Sequence, residues 1–319
     1  MTPAGLEGSV VRVDGVSQVA ALRDAGARRP GAGGRPTGEP VVRAAAVQWA
    51  RRPFATAQAL EGSLGAAVSE AVAAGAGLVV FPAGVGEALA EATGATGPAL
   101  AQAFESLGRS LARAHRVTLA LGPVTVPVAG GAQRVAHLFG PEGQVLGAQA
   151  QTHRGPVERA QGLVRGTTLA PIQTPAGAVG LLSGADVEYP EVSRILCLQG
   201  ATILVHQGAL AAWSEALALA RLWREVQANQ VFGVEAYAVG QGWRGRSAIH
   251  APVEMAPDGS GWLARAPHAD RPALVVADLD AAALAGVVGR YPIHALRNMA
   301  QYRRYFPALY QAEAGSGRA

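Results

Sequence analysis

Apolar and polar residues change period repeatedly along this chain. Residues 41–49 (VVRAAAVQW) form a nearly continuous apolar run, the pattern of a buried strand. Residues 56–74 follow with helical spacing and no proline, and 77–81 (GLVVF) predict a second strand, ended by Pro82. A helix is expected over 96–115, a strand over 117–121 (VTLAL), and a hairpin over 134–147 with Pro141-Glu142-Gly143 at its turn. Beyond it the pattern predicts a strand at 178–182, a helix at 191–199 and a strand at 202–206. A long helix is expected over 209–229, then strands near 231–239 and 247–252. A last strand at 273–278 precedes a mostly polar C-terminal arm. Strands alternating with helices, with hairpins inserted, predict an α/β protein with two-sided sheets. No internal repeat is visible.

The stretch 27–40 (ARRPGAGGRPTGEP) has the Gly, Pro and Arg content of a flexible linker. Residues 1–40 are therefore read as a tail and linker, 41–312 as the domain, and 313–319 as a C-terminal tail. The 319 residues suffice for one large core, and the composition, half hydrophobic and 16% charged, is globular rather than disordered. All 27 basic residues are arginine. Heavy Ala, Gly and Arg usage reads as the bias of a GC-rich genome, but the chemical consequence stands: no lysine amine can act as base or Schiff-base former. The single cysteine, Cys197, excludes an intramolecular disulfide and a thiolate metal cluster. The seven histidines show no ligand-pair spacing, so neither a metal nor a cofactor is expected. The start lacks the apolar run of a signal peptide, and the apolar stretch 71–86 is broken by four glycines and Pro82. A cytoplasmic protein without a membrane segment is expected. Arg28, Arg29 and Arg35 cluster without forming a dense basic run, so no nucleic-acid partner is expected.

Four stretches, in order, resemble the nitrilase superfamily of carbon-nitrogen hydrolases. Residues 42–48 (VRAAAVQ) resemble its first strand, and 74–82 (AGAGLVVFP) its Gly-Ala-Asp-Leu-Val-Val-Phe-Pro strand. Residues 180–191 (GLLSGADVEYPE), with Arg194 and Gly200-Ala201 following, resemble the block around the nucleophile. Gly245-x-Ser247-x-Ile249-x-x-Pro252 resembles a Gly-x-Ser-x-Ile turn and strand, with Ala228-Asn229 in place of a Glu-Asn pair. Asp280, Arg290 and the stretch 297–310 resemble the family's C-terminal end. The resemblance spans roughly 41–312 and implies a four-layer α-β-β-α sandwich of the nitrilase type, usually dimeric, so a homodimer or higher oligomer is expected.

The resemblance also implies a triad in which glutamate is the base, lysine stabilises the tetrahedral intermediate and cysteine attacks. The glutamate position, directly after Phe81-Pro82, is Ala83 here; aligning on Gly143, Gly147 and His153 gives Gln151 for the lysine; Asp186 fixes the cysteine position as Gly184. Realignment cannot restore the lysine. Cys197 lies thirteen residues downstream on the expected buried face of a helix, where a free cysteine is usually a core residue. Glu87, four residues past the base position, would need a different loop path. Glu158 resembles a second glutamate that lines the family's pocket, although a solvated loop acid reads the same way. Asp186 and Arg194 read as scaffold positions. Three functions follow as alternatives. The first is a pseudoenzyme that binds a small amide- or acid-like ligand or a partner subunit. The second is a hydrolase rebuilt on Ser183, with His153, His206 or Glu158 as base; consecutive strand residues face opposite ways, which aims Ser183 away from the old pocket. The third is a structural or regulatory partner of an active paralogue.

Overall fold

Alternation along β1 (Val42–Ala50) sets the layering. Ala45, Val47 and Trp49 enter one buried cluster while Ala44 and Ala46 enter another, as a strand covered on both faces requires. The computed structural model describes residues 41–311; the expected tail and linker over 1–40, and the tail over 313–319, lie outside the described residues.

Two mixed sheets result. In the first, the order is β5 (Val145–Ala150), β4 (Gly131–Phe139), β3 (Thr118–Val128), β2 (Leu78–Val80), β1 and β12 (Ala273–Leu279). In the second it is β6 (Ile172–Thr174), β7 (Gly177–Ser183), β8 (Ile203–Gly208), β9 (Phe232–Val239), β10 (Ala248–His250) and β11 (Trp262–Arg265). The end of β1 joins them by pairing Trp49 and Ala50 with Ala238 and Val239 of β9. Leu78, Val80, Val179, Leu181, Val205 and Val234 meet between the sheets. α1 (Ala57–Ala73), α2 (Val85–Thr93) and α3 (Gly97–His115) cover the outer face of the first sheet. The periodic apolar stripe of α1, Leu60, Leu64, Val68 and Ala71, is the part that docks. Outside the second sheet, Leu182 and Leu204 pack under α5 (Pro190–Leu198) and the segment Arg224–Asn229. The layering is α-β-β-α.

The hairpin expected around Pro141-Glu142-Gly143 forms, with Phe139 opposite Val145 and Gly143 at φ +80°. The helix expected over 209–229 does not form as one piece. Helix starts only at α6 (Glu215–Ala218), where the Ser214 side chain accepts from the Leu217 amide. It breaks at Arg221 (φ −112°, ψ −129°), whose guanidinium pairs with Glu188, and resumes as α7 (Arg224–Asn229). The mostly polar arm is also corrected: it holds α8 (Ala281–Arg290), capped by Asp280, and α9 (Met299–Gln311), which exposes Tyr305, Phe306 and Leu309. Cys197 is buried in the cluster under α5, and burial pushes its thiol up to about 12, so it is an inert core residue. No described helix is long and apolar enough to cross a membrane.

Candidate functional site

Parallel pairing aligns the carboxyl ends of β1 and β2 in one sheet and of β7, β8 and β9 in the other. In open α/β sheets, ligands bind beyond such ends. Here a cavity of about 360 Å³ occupies that position, lined by Arg51 after β1, Ala83 after β2, Gly184 after β7, Ala209 after β8 and Ala238 near the end of β9. Gln151, just beyond β5, completes the wall. Ala83, Gln151 and Gly184 thus meet at one cavity, although 101 positions separate the first from the last.

The backbone that carries each of them is fixed. The amide of Phe81 donates to the Ala120 carbonyl, and Gln207 Nε2 donates to the Phe81 carbonyl, both at 2.9 Å. The Pro82 carbonyl lies so close to Gly122 that a Cβ there would stand 1.9 Å from its oxygen. Gln151 is pinned through its own amide to the Arg134 carbonyl and through its carbonyl to Gly166, and its Nε2 donates to the His153 carbonyl at 2.7 Å. Gly184 opens a 3-10 turn (Gly184–Glu188) at φ +52°; a Cβ there would stand 3.2 Å from Gln151 Nε2.

Asp186, fully buried in that turn, ties the two loops together. Its carboxylate accepts from the Thr152 amide and hydroxyl and from the His153 amide, at 3.0, 2.8 and 2.8 Å. His153 is held by this contact and stacks on Tyr189, with ring centroids 3.8 Å apart. Arg194 likewise makes scaffold contacts, to the Ala228 carbonyl and His294.

Of the four candidate pocket residues, Glu158 lines the cavity; His153, Ser183 and Asp186 do not. Ser183 shares the parity of Val179 and Leu181, which sends its side chain between the sheets, where its hydroxyl is buried without a hydrogen-bond partner among the described residues. His206 is also fully buried. Its Nδ1 lies 3.0 Å from Glu235, and its Nε2 3.3 Å from the Gly184 carbonyl. Burial alone would raise the Glu235 carboxyl, but hydrogen bonds from His206 and His250 outweigh it and hold the group below the usual carboxylate range. Tyr237 donates to the same carboxylate at 2.6 Å; burial and then the Glu235 charge push its phenol well above the usual value.

Sequence reasoning missed Arg51, Arg134 and Trp243 as cavity residues, and it set Glu87 aside. Glu87 lies one helical turn past Ala83 on α2, faces the cavity, and pairs with Arg134 at 2.6 Å. The usable signal was positional: Arg51 immediately follows a parallel strand. The lining holds carboxylates, guanidiniums and amides but no Cys, Ser, Thr, Lys or His among the described residues. No group of three or more His, Cys, Asp and Glu side chains is placed to hold a metal ion among the described residues.

Solved structures share this architecture. A carbon-nitrogen hydrolase from Helicobacter pylori matches with a TM-score of 0.68 at 18% identity, over 83% of this chain and 97% of that one. A variant of an amidase from Nesterenkonia sp. AN1, in complex with butyramide, matches with a TM-score of 0.65 at 23% identity, over 83% and 97%. A second variant of that amidase, in complex with acrylamide, matches at 0.64 and 22%, over 86% and 100%. These are likenesses of fold. No curated protein matches the chain. The carbon-nitrogen hydrolase family pattern matches residues 43–285, more than half of the sequence, and the chain belongs to that family.

Proposed function

We propose that this protein is a non-catalytic member of its family that binds a small amide- or acid-like ligand in the cavity at the strand ends. One observation carries the reading: the three positions where the family's glutamate, lysine and cysteine are expected share one cavity wall, as Ala83, Gln151 and Gly184. Gly184 has no attacking atom, Ala83 cannot take a proton, and Gln151 offers only a neutral hydrogen bond, weaker than a charge-assisted one. Small side chains at two of these positions leave room for a ligand. Incubation with short aliphatic amides and nitriles, followed by ammonia release, should give no turnover above the uncatalysed background. Calorimetry with the same compounds should give binding. Turnover abolished by Ser183→Ala would favour the rebuilt hydrolase instead, and turnover abolished by Glu158→Gln would favour a water-activating carboxylate.

We further propose that the chain self-associates as a homodimer or higher oligomer, with neither nucleic acid nor membrane as partner. The exposed apolar residues Ile195 and Leu198 on α5 and Tyr305, Phe306 and Leu309 on α9 support this. Sedimentation velocity tests it; a monomer at all concentrations would remove the proposal.

A further inference from the structure

We infer that the ligand of this cavity is a small organic cation, an amide bearing an amine, with its ammonium group held by Glu158 beside Trp243. The inference rests on the ligand-binding reading above and narrows its chemistry.

The distribution of charge carries it. Four charged side chains line the cavity: Arg51, Arg134, Glu87 and Glu158. Arg51 is ion-paired with Glu91, and Arg134 with Glu87. The Glu158 carboxylate has no hydrogen-bond or ion-pair partner among the described residues. Each arginine is therefore neutralised locally, and the charge left for a ligand is one half-buried carboxylate. Its surroundings raise the value of a counter-charge. Buried Pro123 and Ala238 line the same cavity and give it apolar walls, which strengthen a charge interaction there. Trp243 adds an indole, the side chain whose ring binds cations best.

Both side chains are carried on fixed backbone. α4 (Pro156–Ala160) carries Glu158, and the Glu158 carbonyl accepts from the Leu163 amide at 3.0 Å. Trp243 closes a turn in which it and Gly240 exchange backbone hydrogen bonds, and the next residue, Arg244, donates to the Leu210 carbonyl. A simple carboxylic acid fits poorly, because it would set a second negative charge near Glu158 while both guanidiniums already have partners. An amide carbonyl does not suffer this, and the guanidinium N–H groups left over from the ion pairs can donate to it. The ligand that satisfies the cavity thus has an amide at one end and an ammonium at the other.

Calorimetric titration of the full chain at pH 7 with propionamide, propionate and β-alaninamide tests the inference. β-Alaninamide should bind about tenfold more tightly than propionamide, the scale of one charge-assisted contact. Glu158→Gln should erase that difference between the two amides, while Trp243→Ala should weaken β-alaninamide more than propionamide. Unchanged thermal unfolding would show that both variants fold. Propionamide binding as tightly as β-alaninamide would overturn the inference and leave the ligand-binding reading standing. Tightest binding of propionate would overturn it in favour of the arginines. Failure of all three probes to bind would overturn the ligand-binding reading itself.

Discussion

Gly184 sits at φ +52°, in the left-handed region where a side chain is strained. Any residue there must accept that conformation and also approach Gln151 Nε2 to 3.2 Å. Gly184→Ala is expected to lower stability by about 1–2 kcal/mol, read from urea unfolding. Glu235 offers a second test at this scale. Its folded-state pKa is depressed, so its contribution is complete above the ordinary carboxylate range, near pH ~4.3, and declines as the pH falls below it. Glu235→Gln should cost about 2 kcal/mol at pH 7, because it removes the charged acceptor that His206, His250 and Tyr237 share in a buried cluster. The gap between variant and parent should narrow below pH ~4.3; a gap independent of pH would show that the carboxylate charge contributes nothing. Neither residue announces its role in sequence. Gly184 reads only as a missing side chain, because φ is invisible there, and Glu235 reads as one polar residue in an apolar strand.

At the scale of elements, continuous apolar runs were legible because parallel strands covered on both faces need nothing else. Residues 178–182 fall within an observed strand, and the runs 41–49 and 202–206 each begin one residue before one. Elements defined by one contact were not legible. α2 begins at the left-handed Gly84 and ends at Gly94, so its two glycines read as loop. The expected helix over 209–229 is interrupted because Arg221 leaves helical geometry and its guanidinium pairs with Glu188, a contact 33 positions away. The turn holding Asp186 is the element on which the site most depends, since its carboxylate gathers three donors from the Thr152-His153 loop. Asp186→Ala should destabilise the fold by about 2 kcal/mol, by removing a buried charged acceptor from three part-buried donors. It should also weaken ligand binding, because Gln151 immediately precedes the released loop. Denaturation and calorimetry on one preparation would separate the two effects. A stability loss with affinity intact would mean that the clamp does not position Gln151.

Across the whole molecule, the site depends on where strands end rather than on any local motif. Ala83, Gln151 and Gly184 were legible because each sits at a fixed step from a recognisable strand or turn. Arg51 and Trp243 belong to no motif, and the cavity recruits them only because two sheets meet where β1 crosses to β9. The same architecture predicts what restoring the family's chemistry requires. A nucleophile, its base and a cation act as a unit, so single replacements gain almost nothing over the parent. Gly184→Cys alone lacks a base and carries the left-handed strain; Ala83→Glu alone has nothing to activate; Gln151→Lys alone stabilises an intermediate that never forms. Combined, the three place thiol, carboxylate and ammonium around one cavity whose loops are already pinned by Gln207, Asp186 and Gly166. The triple variant should release ammonia from short amides at about 10²-fold or more above background, a gain on the scale of one positioned acid–base group. Each double variant should stay near background. If the triple variant folds, binds amides and still fails to turn them over, the positions share a cavity without sharing the geometry of attack, and the fold has drifted along with its residues.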